Sequence, residues 1–204
     1  MSGIVSQNVG RTSGLTKAVS GGGSWALIST LTSDGSDSDL SFTSGLDSTY
    51  PIYRFEFINI HAETNGAWFM VNFSTDGGSN YNVSKTSSNV RAYHEQGGSE
   101  GYNFGYDGGY DLNVGTGDQK LTFTNTIAND DGVCGYLYLY SPSNTTYQKM
   151  FFSRISNPYD ADYAAEFLTA ALLHTTSAID AITFKMNTGE IQGGKVKMYG
   201  LGDS

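Results

Sequence analysis

Short stretches in which apolar and polar residues alternate constrain the fold of this chain more than any other feature of its sequence. Over residues 195–201, Val196 and Met198 alternate with two lysines and a tyrosine. Successive side chains of a β-strand point to opposite faces, so a period of two indicates a strand that buries one face. Comparable stretches recur at residues 24–33, 50–62, 67–75, 119–127, 132–142 and 178–186.

The composition favours the same fold class. The 204 residues include 26 glycines, 14 tyrosines and 11 phenylalanines, and charged residues make up only 15%. Aromatic residues favour strands and glycines favour turns, whereas amphipathic helices are rich in charged residues. We predict an all-β chain that forms one antiparallel β-sandwich domain over residues 24–204. One short helix is predicted over residues 160–173, because Asp160 is a suitable cap and acidic residues occupy the first turn.

The strand pattern also predicts local features. In residues 50–62 the aromatic side chains up to Phe57 share one face and Ile58 and Ile60 lie on the other, which indicates either a bulge or a strand covered on both faces. A Thr-Asn-Gly hairpin signal leads into residues 67–75, so these two strands are expected to pair antiparallel.

A long loop and a closing pair of strands are also predicted. Residues 76–119 are rich in glycine and tyrosine and are predicted to be a long loop that carries contacts. Residues 178–186 send Ile182, Phe184 and Met186 inward, and the strand over 195–201 is expected to start at a glycine bulge and to close the sheet.

Residues 1–23 form a candidate N-terminal arm ahead of the run Gly21-Gly22-Gly23. They have no periodicity, yet apolar residues recur along them, so we expect an extended arm that anchors the chain to a partner; a loose terminus is the alternative. The candidate anchor residues are Ile4, Val5, Val9, Arg11, Leu15 and Lys17.

Charge and hydropathy exclude several classes of protein. The net charge is −9, which disfavours binding to nucleic acid or to an anionic membrane. The N-terminus lacks the apolar core of a signal peptide, and no run approaches the roughly 18 apolar residues that span a bilayer. Cys134 is the single cysteine, so no intrachain disulfide forms, and we expect it to be a small buried side chain in a strand.

No motif identifies an active site, so we predict a chain without enzymatic activity or cofactor. Residues 97–101 match the pattern G-x-S-x-G, but no strand precedes them and no helix follows, as a hydrolase would require. His61, His94 and His174 lack the spacing of zinc ligands. The sequence does not exclude a pair of carboxylates that hydrolyses sugars, because the distance between two such groups is set only by the three-dimensional fold.

Two surface features are candidate binding sites. Asp34, Asp37 and Asp39 supply enough oxygens for a calcium site, although a solvated acidic turn is the favoured interpretation. A cluster of glycine-spaced aromatic residues is a candidate platform for sugar rings or for another subunit; packing within their own sheet is the alternative. The residues of this cluster are Tyr102, Phe104, Tyr106 and Tyr110. By contrast, Tyr136, Tyr138 and Tyr140 alternate strictly and are expected to form an ordinary half-exposed sheet face.

Several segments resemble a known family. The closing stretch over residues 189–201, the turn and strand over 45–60, and the S-x-D-G-G loop within 72–78 are similar to small β-sandwich virion proteins of tailed bacteriophages, particularly marine ones. The resemblance covers residues 25–201, although 96–118 are richer in glycine and tyrosine than in that family. It implies a jelly-roll-like sandwich without catalysis, located in tail fibres, tailspike tips or head decoration.

The expected function is therefore that of a virion structural protein. Its arm would fix it to other virion proteins, and its sandwich would project outward for assembly contacts or for binding a host surface glycan. A symmetric homo-oligomer is expected, most simply a trimer, since particle sites impose symmetry. A free carbohydrate-binding module is the alternative, and a glycosidase is a distant third.

Overall fold

The computed structural model describes residues 24–95, 97, 102–123, 132–159 and 163–202. It is nearly all β, with 59% strand and 2% helix, and two antiparallel sheets pack against each other. The predicted all-β sandwich is thus confirmed. The candidate anchor residues of the arm lie outside the described residues, as do residues 98–101 of the G-x-S-x-G match.

The described residues form twelve strands and one 3-10 turn, Gly108–Tyr110. In chain order the strands are β1 (Trp25–Thr32), β2 (Asp39–Phe42), β3 (Ile52–Ala62), β4 (Phe69–Ser74), β5 (Lys85–Glu95), β6 (Tyr102–Tyr106), β7 (Gln119–Lys120), β8 (Val133–Tyr140), β9 (Lys149–Tyr159), β10 (Tyr163–Leu173), β11 (Ala181–Met186) and β12 (Ile191–Leu201).

The strands divide into a large and a small sheet. The large sheet has the order β1-β12-β3-β8-β9-β10-β5-β6, and the small sheet has the order β2-β11-β4-β7. Every described pairing is antiparallel. Because the small sheet has half as many strands, it covers one face of the large sheet and leaves the opposite face without a protein layer among the described residues.

Aromatic side chains between the two sheets form the centre of the core. Phe184 of β11 is fully buried, and its ring lies 5.1 Å from Phe57, 5.4 Å from Phe55 and 5.9 Å from Phe69. Phe55 and Phe57 belong to β3 of the large sheet, so Phe184 joins the two layers. The inward positions predicted for Ile182, Phe184 and Met186 are confirmed, since all three are buried.

Bulges occur on both β3 and β12. The register of β3 against β8 shifts between Phe57 and Ile60, and Asn59 has φ of 48°. Ile58 is therefore 37% exposed while Ile60 returns to the core at 1%. Of the two predicted alternatives for this strand, the bulge is correct. The glycine bulge of the last strand is also confirmed, because Gly194 has φ of 106° and the register of β12 shifts beside it.

The predicted helix over residues 160–173 is wrong. Tyr163–Leu173 forms strand β10, whose odd-numbered residues from Ala165 to Leu173 are buried in alternation. β10 pairs with β9 on one side and β5 on the other along its whole length. Alanine and leucine favour a helix locally, but hydrogen bonds to two neighbouring strands outweigh that preference.

The predicted hairpin between residues 50–62 and 67–75 is also wrong. β3 belongs to the large sheet, where it pairs with β12 and β8, whereas β4 belongs to the small sheet. The turn at Gly66, with φ of 80°, therefore carries the chain from one sheet to the other. The pattern marked a turn correctly, but a turn signal does not say which sheet the next strand joins.

The predicted loop over residues 76–119 contains two strands of the large sheet, β5 and β6. β5 was not recognised in the sequence because its inward face is polar at Lys85, Ser87 and Asn89, so apolar residues do not alternate along it.

Cys134 lies in a strand as predicted but is only half-buried, with its Sγ 3.3 Å from Asn59 Oδ1. No helix in the described part of the chain is long and apolar enough to span a membrane.

Candidate functional site

The outward-facing side chains of the large sheet form the candidate site, which we call the outer face. Paired residues of neighbouring strands point to the same side, so the strand registers define rows that run across the sheet. The central row runs from β1 to β5 through Leu27, Tyr199, Arg54, Tyr138, Phe152, Ala170 and Ser88. A neighbouring row runs through Ile52, Tyr140, Met150, Leu172 and Thr86.

Aromatic rings stack along the middle of the outer face. The ring of Phe152 stacks on Tyr138 at 5.0 Å and on Tyr140 at 6.0 Å, and Trp25 lies 5.7 Å from Tyr138. The guanidinium of Arg54 lies 4.9 Å from the centre of the Trp25 ring. Such stacking holds the rings in place, because aromatic pairs add about 0.5–1.5 kcal/mol beyond their buried area. The outer face is therefore preorganised rather than loosely arranged.

Large apolar side chains on this face remain exposed. Met150 is 60% exposed, and Phe152 and Leu168 are about one third exposed. All three lie on the neighbouring strands β9 and β10. A contiguous group of exposed apolar side chains is uncommon on a protein that works alone, and it marks a surface that binds another molecule.

A groove of about 670 Å³ opens at one end of the outer face. Its floor includes Ala170 and Ser88, and the larger Phe152 and Met150 border it. Ala170 pairs with both Phe152 and Ser88, so the step from a large ring to two small side chains creates the depression.

The loop after β8 forms a wall of the groove. Asn144 Oδ1 accepts hydrogen bonds from the backbone N–H groups of Thr146 at 2.7 Å and Tyr147 at 2.9 Å. This turn holds the Tyr147 ring over the groove, where it is 71% exposed. Gln148 follows it, and within the described residues no hydrogen bond engages the Gln148 side-chain amide.

The lining of the groove is mostly apolar and carries no charge. Among the described residues that line it there are hydroxyls and amides but no acid or base. Burial raises the pKa of Tyr140 further above neutral pH, and its hydroxyl can donate a hydrogen bond. The groove therefore suits a neutral ligand that combines an apolar face with hydroxyl groups.

Three of the four residues in the predicted aromatic cluster lie on the same outer face. Tyr102, Phe104 and Tyr106 belong to strand β6 and are 77%, 76% and 67% exposed. They pair with residues of β5 that point outward, so they extend the apolar surface to the edge of the sheet. Tyr110 lies apart: its ring packs 5.3 Å from Phe123 and 5.4 Å from Phe167.

The residues that form the groove were not recognised from the sequence. Tyr136, Tyr138 and Tyr140 are half-buried, as predicted, but Tyr140 also lines the groove. The sequence of β9 did contain an indication of the groove, because the apolar residues Met150 and Phe152 stand at its outward-facing positions. Apolar side chains on both faces of a strand indicate that the outer face is also used for contact.

The carboxylates of the acidic turn accept hydrogen bonds from neighbouring groups. Asp34 Oδ1 accepts hydrogen bonds from the backbone and hydroxyl of Ser36, and these bonds lower the pKa of Asp34. Asp39 accepts bonds from Ser38 and Ser41. Within the described residues, no three acids, histidines or cysteines gather closely enough to hold a metal ion. The hydrogen bonds of Asp34 and Asp39 thus go to nearby serines.

Comparison with known proteins adds no relative. No protein-family model, no curated protein and no solved structure matches this chain. Its function is therefore inferred from its own residues.

Proposed function

We propose that this chain is a non-enzymatic structural protein of a bacteriophage virion and that the outer face is its contact surface. The observation that carries the proposal is the set of large apolar side chains left exposed on the outer face along β6, β10 and β9. Among them, Phe104 is 76% exposed and Met150 is 60% exposed. Burial of such side chains stabilises association by about 25 cal/mol per Å² of apolar area, which gives assembly a driving force.

The virion setting is supported by the sequence resemblance over residues 45–60, 72–78 and 189–201. The residues of the S-x-D-G-G motif build a turn: Asp76 Oδ1 accepts from Ser74 Oγ at 2.7 Å, and Gly77 and Gly78 have positive φ. The motif thus stabilises a turn of the backbone, a structural role that fits a protein without an active site.

In this proposal the arm over residues 1–23 attaches the chain to other virion proteins, and copies associate symmetrically, most simply as a trimer. The exposed edge aromatics Tyr102 and Phe104 are suited to contacts between copies, because they combine a large apolar area with few rotatable bonds.

Immunogold labelling of purified phage particles tests the proposal. Antibodies raised against the chain should decorate particles at symmetric positions, and deletion of residues 1–20 should remove the chain from particles while leaving the sandwich folded. A chain that is found only in the soluble fraction of the lysate, and that stays monomeric in light scattering, would contradict the proposal.

The groove favours a second candidate, a free carbohydrate-binding module. Tyr147 and Phe152 offer rings on which a sugar can stack, and Asn144 and Gln148 offer amides for its hydroxyls. A glycan array would test it, with Tyr147→Ala expected to weaken binding about tenfold or more, as loss of about 1–2 kcal/mol of binding free energy predicts. Deletion of residues 1–20 should leave this binding intact.

A further inference from the structure

A buried lysine, a buried asparagine and a half-buried aspartate are linked by hydrogen bonds where the two sheets meet. Lys85 starts β5 of the large sheet, Asn72 lies in β4 of the small sheet, and they are 0% and 2% exposed. Lys85 Nζ lies 2.8 Å from Asn72 Oδ1, and Asn72 Nδ2 lies 3.0 Å from Asp118 Oδ1. The amine and the carboxamide are thus held together away from solvent, and the carboxylate, whose side chain is 24% exposed, contacts the carboxamide from the solvent side.

We propose that Lys85 and Asn72 condense to an intramolecular isopeptide bond that joins the two sheets covalently. The three groups are those that this reaction needs: an amine nucleophile, an amide carbon and a carboxylate that moves the proton. The proposal concerns a modification of the chain itself and does not depend on the proposed function.

The reaction balances without any other reagent. The lone pair of neutral Lys85 Nζ forms a bond to Asn72 Cγ, and the bond from Cγ to Nδ2 breaks. Asp118 accepts a proton from Nζ and delivers it to Nδ2, which leaves as ammonia. Nothing is oxidised or reduced, and Asp118 returns to its starting form.

The surroundings of the pair fit each step. The backbone N–H of Phe73 donates to Asn72 Oδ1 at 2.9 Å, where negative charge develops when the amine attacks. The carbonyl oxygens of Val83 at 2.9 Å and Gly117 at 2.7 Å fix the position of Nζ. Proximity of this kind replaces a collision in solution and is a large part of the rate of such reactions.

The amine is also available in its neutral form. Burial lowers the pKa of Lys85 to about 8, against the opposing effect of the Asp118 charge. A lysine in water has a pKa of about 10.4, so burial raises the fraction of neutral amine at neutral pH by orders of magnitude. Asp118 is held by Lys185 at 2.9 Å on its other oxygen, which keeps its first oxygen directed at Asn72.

A second buried lysine provides a matched control within the chain. Lys149 is 1% exposed, and its Nζ donates to the backbone carbonyl of Ser177 at 2.6 Å. No described side-chain amide or carboxylate accepts a hydrogen bond from it, so it has no partner for this reaction. Burial is common to both lysines, and only Lys85 faces an asparagine.

Tryptic peptide mapping of the full chain tests the proposal, because trypsin does not cleave after a lysine whose amine is acylated. The cross-linked protein should yield one peptide over residues 55–91, lighter than its sequence by one ammonia. The unmodified protein would yield residues 55–85 and 86–91. Cleavage after Lys149 should be complete in both cases and shows that digestion of the denatured chain worked.

Variants make the result decisive. In both Lys85→Arg and Asp118→Asn, the tryptic peptides should have their full sequence masses, with no ammonia lost. Asp118→Asn should also restore cleavage after Lys85. Circular dichroism should confirm that the sheets still form in both variants. Separate peptides 55–85 and 86–91 at their sequence masses would overturn the proposal. Loss of ammonia with cleavage after Lys85 retained would overturn it as well, because it indicates a cyclic imide at Asn72 instead of a cross-link.

Discussion

Replacement of Phe184 by alanine tests whether the space between the sheets, and not the outer face, provides the stability of the fold. Phe184 is fully buried, and its ring lies within 6.5 Å of four other phenylalanine rings. Substitution of a core phenylalanine by alanine costs about 3–5 kcal/mol through lost burial and the cavity left behind. Because all four neighbouring rings would border that cavity, we expect a value near the upper limit, about 5 kcal/mol.

Phe152→Ala is the matched control on the outer face. Phe152 is 37% exposed, so its removal forfeits stacking on Tyr138 and Tyr140 but leaves no enclosed cavity. We expect stability to fall by about 1 kcal/mol, most of it from the stacking that alanine cannot provide.

Urea denaturation followed by intrinsic fluorescence measures both effects. With a slope of about 2 kcal/mol per molar urea, Phe184→Ala should lower the midpoint by about 2.5 M and Phe152→Ala by about 0.5 M. If Phe184→Ala does not fold, the milder Phe184→Leu should still lose more stability than Phe152→Ala. Equal losses for the two alanine variants would refute the assignment of the outer face as a contact surface rather than part of the core.

Three further predictions concern stability. Tyr53→Phe should cost about 1–2 kcal/mol in thermal denaturation, because the Asp47 N–H then loses its acceptor at 3.0 Å. Burial raises the pKa of Tyr53 to about 12 in the folded state, whereas the unfolded tyrosine has a pKa of about 10 and therefore ionises first. The free energy of unfolding should thus fall as the pH rises from about 10 to 12. The fall should be less steep in Tyr53→Phe, which lacks the hydroxyl. Gly194→Ala should lose about 2 kcal/mol of stability or more, because φ is 106° and a Cβ would collide with the Asn59 carbonyl. Gly66→Ala has φ of 80° but its Cβ would meet no atom, so it should lose only about 1 kcal/mol. Equal losses in the two variants would contradict the steric reasoning.

Local alternation predicted the strands that end the described chain, because apolar and polar residues alternate along both of them. β11 and β12 follow the predicted pattern, with Phe184 and Val196 buried. Where both faces of a strand carry similar residues, the pattern fails: β5 is polar inside and β10 reads locally as a helix. Sheet membership is also invisible locally, since β3 and β4 are adjacent in the chain and lie in different sheets.

The candidate site was only partly predictable for a related reason. Tyr102, Phe104 and Tyr106 are neighbours in sequence, so their grouping is visible in the sequence itself. The groove combines a loop near Tyr147 with Ala170 of β10, and sequence alone gives no measure of that proximity. The contact between Lys85 and Asn72 likewise depends on the meeting of two sheets.

The position of β12 between β1 and β3 has a consequence for the order in which the fold forms. β1 has no described strand partner other than β12, and Trp25 pairs with Leu201 at the other end of the domain. Pairings between such distant segments slow folding, because the entropy of closing a long loop is lost before any contact is gained. During synthesis on the ribosome, β1 therefore lacks its strand partner until β12 has emerged, and Trp25 and Leu31 stay unpaired in that interval.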